Sequence, residues 1–268
     1  MTSLVPYAEV IGDPIAQSKS PAIHRFWLDA LDMKGDYRAT RVTRSEFNAY
    51  LTDRRGDPAW RGCNVTMPLK LDALFAADEP TDRATATGAA NLLMIRDARL
   101  VAANTDVEAV LDLITPLDHD SVTILGTGGA ARAVLLALKL LDSGEVRLQA
   151  RDLAAATSLC VEFGLGEGPR PFNALVDSRG LINATPLGMA GIAPTHIDIS
   201  AMPADGWVLD LVSAPLPTPL LAQAAKRGLE TIDGLFVLVE QAADSFELLF
   251  GKKPPRNRDN DLFAMLRA

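Results

Sequence analysis

Cysteine, histidine, aromatic side chains and positive charge are all scarce in this chain. Two cysteines in 268 residues, Cys63 and Cys160, lie far apart with no Cys-x-x-Cys spacing. A disulfide framework is therefore not expected, and the chain reads as a reduced, cytoplasmic protein. His24, His119 and His196 are isolated from one another, so no metal site is expected. The net charge of -8 and pI near 4.9 argue against binding nucleic acid through bulk charge. An anionic ligand would have to be held by local dipoles or a few well-placed donors. No apolar run approaches ~18 residues, which excludes a spanning helix and predicts no membrane partner. The first residues carry Pro6 and Glu9 and no basic leader, which predicts no signal peptide. What is present, 48% hydrophobic and 22% charged residues, suits a globular protein of one large or two modest domains.

The pattern changes near residue 107. Before it, short strands (8–11, 37–42, 63–66) alternate with helices (21–31 and near 46–54). Residues 91–95 and 100–103 read as a hairpin around Arg96-Asp97-Ala98. From Ser121 the rhythm is strand and helix in turn: strands 122–125, 146–150, 181–184 and 208–211, helices 130–141, 153–163 and 219–227. Such alternation implies a parallel, doubly wound sheet. A last long helix, roughly 235–250, follows the turn at Asp233-Gly234 and ends at Gly251.

Gly126-Thr127-Gly128-Gly129-Ala130-Ala131 is a G-x-G-x-x-A fingerprint lying between a strand and a helix. Gly126 allows the tight turn, Gly128 lets a pyrophosphate approach the backbone, and Ala131 permits close helix–strand packing. The helix start supplies free N–H groups and a positive dipole end for phosphates. Ala150-Arg151-Asp152 follows the next strand. Arg151 can stack on adenine and pair with a 2′-phosphate, whereas Asp152 can bind a ribose hydroxyl and repel that phosphate, or simply cap the next helix. NADP is favoured slightly, with NAD open.

A second signal lies at residues 62–70. Asn64, Thr66 and Lys70 surround a strand-to-helix corner in which Pro68 suits the first helical position. Lys70 then falls in the first turn, at the positive end of the helix dipole. An ammonium is poorly placed there on stability grounds, which singles Lys70 out as a candidate for proton transfer near neutral pH. The plainer reading is a solvated surface lysine. Ser18 and Ser20 end the loop that begins at Gly12-Asp13-Pro14, and two serines beside a helix start make a small anion cradle. Ser20-Pro21 is equally a good helix cap with Pro at the first helical position.

Taken in order, these segments resemble the shikimate/quinate dehydrogenase family along nearly the whole chain. The resemblance is carried by residues 11–21 (Ile-Gly-Asp-Pro-Ile-Ala-Gln-Ser-Lys-Ser-Pro), by Asn64 to Lys70, by Gly88-Ala89-Ala90-Asn91 and by Asn104-Thr105-Asp106. The glycine loop with Arg132, residues 182–189, Asp233-Gly234 and Gln241-Ala242-Ala243 complete it. It implies an α/β protein of two domains. One is an N-terminal α/β substrate domain, 1–106, completed by a C-terminal helical segment, 235–268. The other is a Rossmann-type doubly wound nucleotide-binding domain, 107–234, across a cleft. It implies reversible NADP-dependent reduction of 3-dehydroshikimate to shikimate, a step toward chorismate and the aromatic amino acids.

By the same resemblance Lys70 and Asp106 are the catalytic pair, Ser18 and Ser20 hold the substrate carboxylate, and Asn64, Thr66, Asn91 and Gln241 line the substrate, with Asp106 also on a ring hydroxyl. Gly126, Thr127, Gly128, Gly129, Ala130, Arg151, Asp152, Thr185, Leu211 and Gly234 surround the nucleotide. The expected partners are the small-molecule substrate and the dinucleotide, with the protein a monomer or homodimer. The chain departs from the family at Ser213, where Tyr is usual, at Ala150 and Asp152 beside Arg151, and at Val237, where Met is usual. Two other readings stand beside this one: a quinate or other cyclic polyol-acid dehydrogenase using NAD, and a ligand sensor of the same fold without turnover. The presence of both Lys70 and Asp106 argues against the sensor.

Overall fold

A computed structural model describes residues 4–268, which divide into two compact units. The first comprises the residues up to Thr105 together with Val239–Ala268, the second Asp106–Leu238.

The first unit contains β1 (Tyr7–Gly12), α1 (Ser20–Ala30), β2 (Asp36–Arg41), α2 (Phe47–Arg55), β3 (Trp60–Val65), α3 (Lys70–Ala76), β4 (Glu79–Pro80), α4 (Asp82–Thr87), β5 (Leu92–Arg96) and β6 (Arg99–Ala103). Its sheet runs β2-β1-β3-β5-β6-β4, with β2, β1 and β3 parallel and β5 antiparallel to both β3 and β6. All six residues of β1 are buried, because helices and strands cover it on every side. Buried Glu9 on this strand accepts hydrogen bonds from Thr40 (2.7 Å), Tyr50 (2.6 Å) and Arg54 (2.8 Å). Burial opposes its charge, yet those donors hold the carboxyl below the usual carboxylate range. The β5–β6 turn falls at Asp97 and Ala98, both at positive φ (50° and 62°), as a tight hairpin of right-twisted strands requires.

The second unit holds α5 (Asp106–Ile114), β7 (Ser121–Leu125), α6 (Gly129–Leu140), β8 (Glu145–Ala150), α7 (Leu153–Phe163), β9 (Arg170–Pro171), β10 (Gly180–Asn183), β11 (Trp207–Asp210), α8 (Pro219–Lys226) and β12 (Glu230–Asp233). All its strand pairs are parallel, in the order β12-β11-β10-β7-β8-β9. The chain order reverses between β7 and β10, the topological switch point where doubly wound sheets bind ligands. Apolar faces of α5, α6 and α7 pack on one side of the sheet around Val110, Ile124, Val134 and Leu148. Leu125, Leu181, Val208 and Leu221 form the core of the other side.

Helix α9 (Gly234–Phe250) gives its first residues to the second unit and the remainder to the first, which ends with α10 (Asp259–Arg267). Among the described residues no helix is long and apolar enough to cross a membrane.

Two local expectations are corrected. Pro68 is not helical: Met67 and Pro68 lie in a turn closed by Leu69 N–H on the Thr66 carbonyl (2.9 Å), and α3 starts at Lys70. Ser20 is not the cap of α1: Lys19 occupies that position, without a side-chain cap bond, and Ser20 is the first helical residue. The sequence reading also misses α4, α10 and the short strands β4, β9 and β12. Strands of two residues, β4 and β9, are too short for any periodicity to register.

Candidate active site

In the first unit the strand ends at Gly12, Val65 and Ala103 lead into the segments that carry Ser18, Thr66 and Asn104. A Cβ on Gly12 would meet Thr66 Cγ2 at 2.5 Å and the Met67 carbonyl at 2.6 Å, so only glycine lets β1 run against the corner after β3. Asp13 N–H on the Met67 carbonyl (3.0 Å) and Thr66 N–H on the Ile11 carbonyl (2.9 Å) fasten the two loops. Ser18 Oγ accepts the Ser20 N–H at 3.3 Å, and Ser20 is buried. Lys70 opens α3 and its own carbonyl accepts the Ala90 N–H (2.8 Å), which ties the corner to the residue preceding Asn91.

Asn91 is the hub of a buried polar network. Its Nδ2 donates to Thr105 Oγ1 (2.9 Å) and reaches Gln241 Oε1 at 3.5 Å, while its Oδ1 accepts the Thr105 N–H (2.8 Å). Thr105 Oγ1 also donates to the Gln241 carbonyl (3.0 Å) and lies 3.1 Å from Ser245 Oγ. Asn64 has its amide engaged at both ends: Oδ1 accepts from Tyr37 Oη (2.6 Å) and Nδ2 donates to Ser245 Oγ (2.8 Å). Asn104 Nδ2 donates to the Ala89 carbonyl (2.9 Å), and Asp106 follows Thr105 as the first residue of α5. Buried amides of this kind are held in one orientation, because any rotation would leave a polar atom unpaired. Amide and hydroxyl groups so fixed can recognise the hydroxyl groups of a ligand.

In the second unit the glycine loop lies between β7 and α6. Gly126 has φ 106°, which L side chains rarely adopt, and a Cβ there would lie 2.9 Å from Thr185 Cγ2. Gly126 N–H donates to the Gln149 carbonyl (2.9 Å). Gly128 is different: its φ of -79° is ordinary, and a Cβ there would meet nothing within 4 Å. The space in front of Gly128, with Thr127 beside it and Gly129 and Ala130 opening the 12-residue α6, therefore fits a pyrophosphate at a helix start. Ala131 is fully buried against the sheet, as the fingerprint requires.

Thr185, after β10, donates through both its N–H (3.1 Å) and its hydroxyl (2.7 Å) to Asn183 Oδ1. A Cβ on Gly234 would lie 2.4 Å from both C and O of Leu211, so the start of α9 presses on the segment after β11. Arg151 is exposed and borders a depression of about 400 Å³ lined also by Ala150, Leu153, Pro171, Phe172 and Asn173. Asp152 Oδ1 accepts from the N–H groups of Ala154 and Ala155 (3.0 Å each) and caps α7.

Residues 10–93 match the family described as the shikimate dehydrogenase substrate binding domain. An NADP(+) shikimate dehydrogenase of Sphingopyxis alaskensis is 48% identical over 267 residues, covering 98% of this chain and 97% of that one. Another, of Rhizobium rhizogenes, is 42% identical over 92% of this chain. The chain belongs to the shikimate dehydrogenase family. The crystal structure of shikimate 5-dehydrogenase from Thermus thermophilus, in complex with NADP(H) and shikimate, superposes with a TM-score of 0.87 at 32% identity, covering 97% of this chain and 99% of that one.

Beside the residues expected from the sequence of this family member stand three that sequence reasoning left without a role: Tyr37, Thr105 and Ser245. Each left a trace. Tyr37 is a tyrosine in a strand, and a buried tyrosine needs a partner for its hydroxyl. Ser245 lies one helical turn from Gln241 and so shares its face. Thr105 sits between two residues of a recognised motif.

Proposed function

We propose that this protein is an NADP-dependent shikimate dehydrogenase that reversibly reduces 3-dehydroshikimate to shikimate on the route to chorismate and the aromatic amino acids. The observation that carries the reading is 48% identity to an NADP(+) shikimate dehydrogenase over nearly the full length of both chains. The buried network of Asn64, Asn91, Thr105, Gln241 and Ser245 supports a substrate rich in hydroxyl groups.

In this reading Ser18 and Ser20 bind the substrate carboxylate, and Thr66, Asn91 and Gln241 bind ring hydroxyls. Asn64 holds Ser245, and through it the Thr105–Asn91 pair, in register. The glycine loop and Arg151 hold the dinucleotide, whose nicotinamide supplies the hydride in one direction and accepts it in the other. Lys70 gives a proton to the carbonyl oxygen of 3-dehydroshikimate as that carbon is reduced, and takes it back in the oxidation. Asp106 orients the ammonium and stabilises it between turnovers. Cys63 and Cys160, both buried and free, support a reducing cytoplasmic setting. The protein acts as a monomer or homodimer, which light scattering distinguishes.

The test is a steady-state assay of shikimate and quinate, each against NADP and NAD, with Lys70→Ala and Asp106→Ala alongside. Each variant should lose roughly two to four orders of magnitude in turnover, the usual worth of a general acid–base group, and still bind nucleotide. Near-normal turnover by Lys70→Ala would remove it from the mechanism. A preference for quinate with NAD would replace the substrate reading, and binding without turnover in the wild type would make the chain a sensor.

A further inference from the structure

Asp210 ends β11 with its side chain fully buried, and its three hydrogen-bond partners are all neutral donors. Asn183 Nδ2 reaches it at 2.8 Å, Thr218 Oγ1 at 2.6 Å and the Val212 N–H at 3.1 Å. Thr218 Oγ1 already accepts the Leu221 N–H (3.2 Å) as cap of α8, which directs its own hydrogen at the carboxylate. Burial pushes the Asp210 carboxyl up, and the three donors oppose that. Removing a carboxylate from water without a cation is costly, so its position calls for a reason.

The reason lies one residue further. Asn183, fixed by Asp210 at its Nδ2, turns its Oδ1 toward Thr185, where it accepts both the N–H and the hydroxyl. Thr185 Oγ1 in turn accepts the Leu187 N–H (3.2 Å). Thr185 is the residue that closes on Gly126. On its other side, the Val212 N–H holds the segment that Gly234 touches, where a Cβ would come within 2.7 Å of Val212 C. One carboxylate therefore fixes the loops after β10 and β11 at the switch point of the sheet.

We propose that Asp210 is a positioning residue for the nucleotide, acting through Asn183 on the Thr185–Leu187 turn and directly on the Val212 amide. The inference rests on the reading of the glycine loop as the NADP site. A carboxylate suits this place because both its oxygens only accept, whereas an asparagine would set an NH2 group against one of three converging donors.

The experiment measures the NADP dissociation constant by fluorescence titration, and the shikimate Michaelis constant at saturating NADP, on the full chain. Asp210→Asn should weaken NADP about tenfold or more, as expected for losing a hydrogen bond to a charged group, and leave the shikimate constant within about twofold. Asn183→Ala, which breaks the link without touching the carboxylate, should weaken NADP similarly and decides the matter if Asp210→Asn does not fold. Wild-type NADP affinity in either single variant, or a shikimate Michaelis constant raised as much as the NADP dissociation constant, overturns the proposal. Gly128→Val, run in parallel, separates the two readings. If it abolishes NADP binding while Asp210→Asn does not weaken it, only the positioning role falls. If it binds NADP normally, the nucleotide site and this proposal fall together.

Discussion

Gly126 and Gly128 stand two residues apart in one loop, yet the structure makes opposite demands on them. At Gly126 the backbone has φ 106° and a Cβ would lie 2.9 Å from Thr185 Cγ2 and 3.3 Å from the Ala184 carbonyl. Gly126→Ala should therefore destabilise the protein without any ligand, by about 1–3 kcal/mol for a side chain in a rarely populated conformation. At Gly128 the conformation is open to any residue and a Cβ meets nothing within 4 Å. Gly128→Val should change unliganded stability by less than about 1 kcal/mol, since the weaker helix cap and the stiffer unfolded chain oppose each other. Its effect should appear only with nucleotide. A branched side chain occupies the approach of the pyrophosphate, and each charge-assisted backbone hydrogen bond lost is worth about 1.5–3 kcal/mol, or roughly tenfold to a hundredfold in affinity. Thermal melts with and without NADP, paired with calorimetric titration, read both quantities. Gly128→Val binding NADP like the wild type would refute the assignment of the loop. Gly128→Val destabilising the free protein as much as Gly126→Ala would refute the reading of the open space.

Three further outcomes are expected. Arg151→Ala should weaken NADP by about 1.5–3 kcal/mol and NAD hardly at all, because Asp152 is occupied as a helix cap and leaves the arginine to meet the 2′-phosphate. Equal losses in the Michaelis constants of the two nucleotides would mean that Arg151 only stacks on adenine. Burial holds the His24 imidazole, stacked 3.9 Å from the Tyr37 ring, down at about 3, against 6.5 when unfolded. The folded state therefore keeps it neutral, and its contribution is complete above about pH 6.5 and is lost as pH falls toward 3, by about 1.4 kcal/mol per unit. His24→Phe should flatten that part of the stability profile in chemical denaturation, and an unchanged slope would show that other groups set it. Ser245→Ala leaves Asn64 Nδ2 without its best partner, which should cost about 1–3 kcal/mol and raise the shikimate Michaelis constant more than that of NADP. Equal effects on both constants would argue that the network is structural only.

The sequence by itself determined the parts whose signal is local. The strand–glycine–helix order around Gly126, the alternation from Ser121 onward and the hairpin at Asp97 and Ala98 depend on backbone propensity and on neighbours within a few residues. Asp152 as a cap is legible for the same reason, since its acceptor meets amides two and three positions on. Tertiary structure decided what depends on partners far along the chain. Which atoms of Asn64 are engaged follows from Tyr37, 27 residues away, and Ser245, 181 residues away, and no local pattern encodes those pairings. That a side chain at Gly126 would also run into Thr185 follows only from the crossover from β7 to β10, which brings Thr185 alongside. Asp210 is the furthest case. In the chain it is one aspartate after a short apolar strand, and only parallel pairing of β10 with β11 sets Asn183 opposite it, so that a buried charge acquires the donors that hold it.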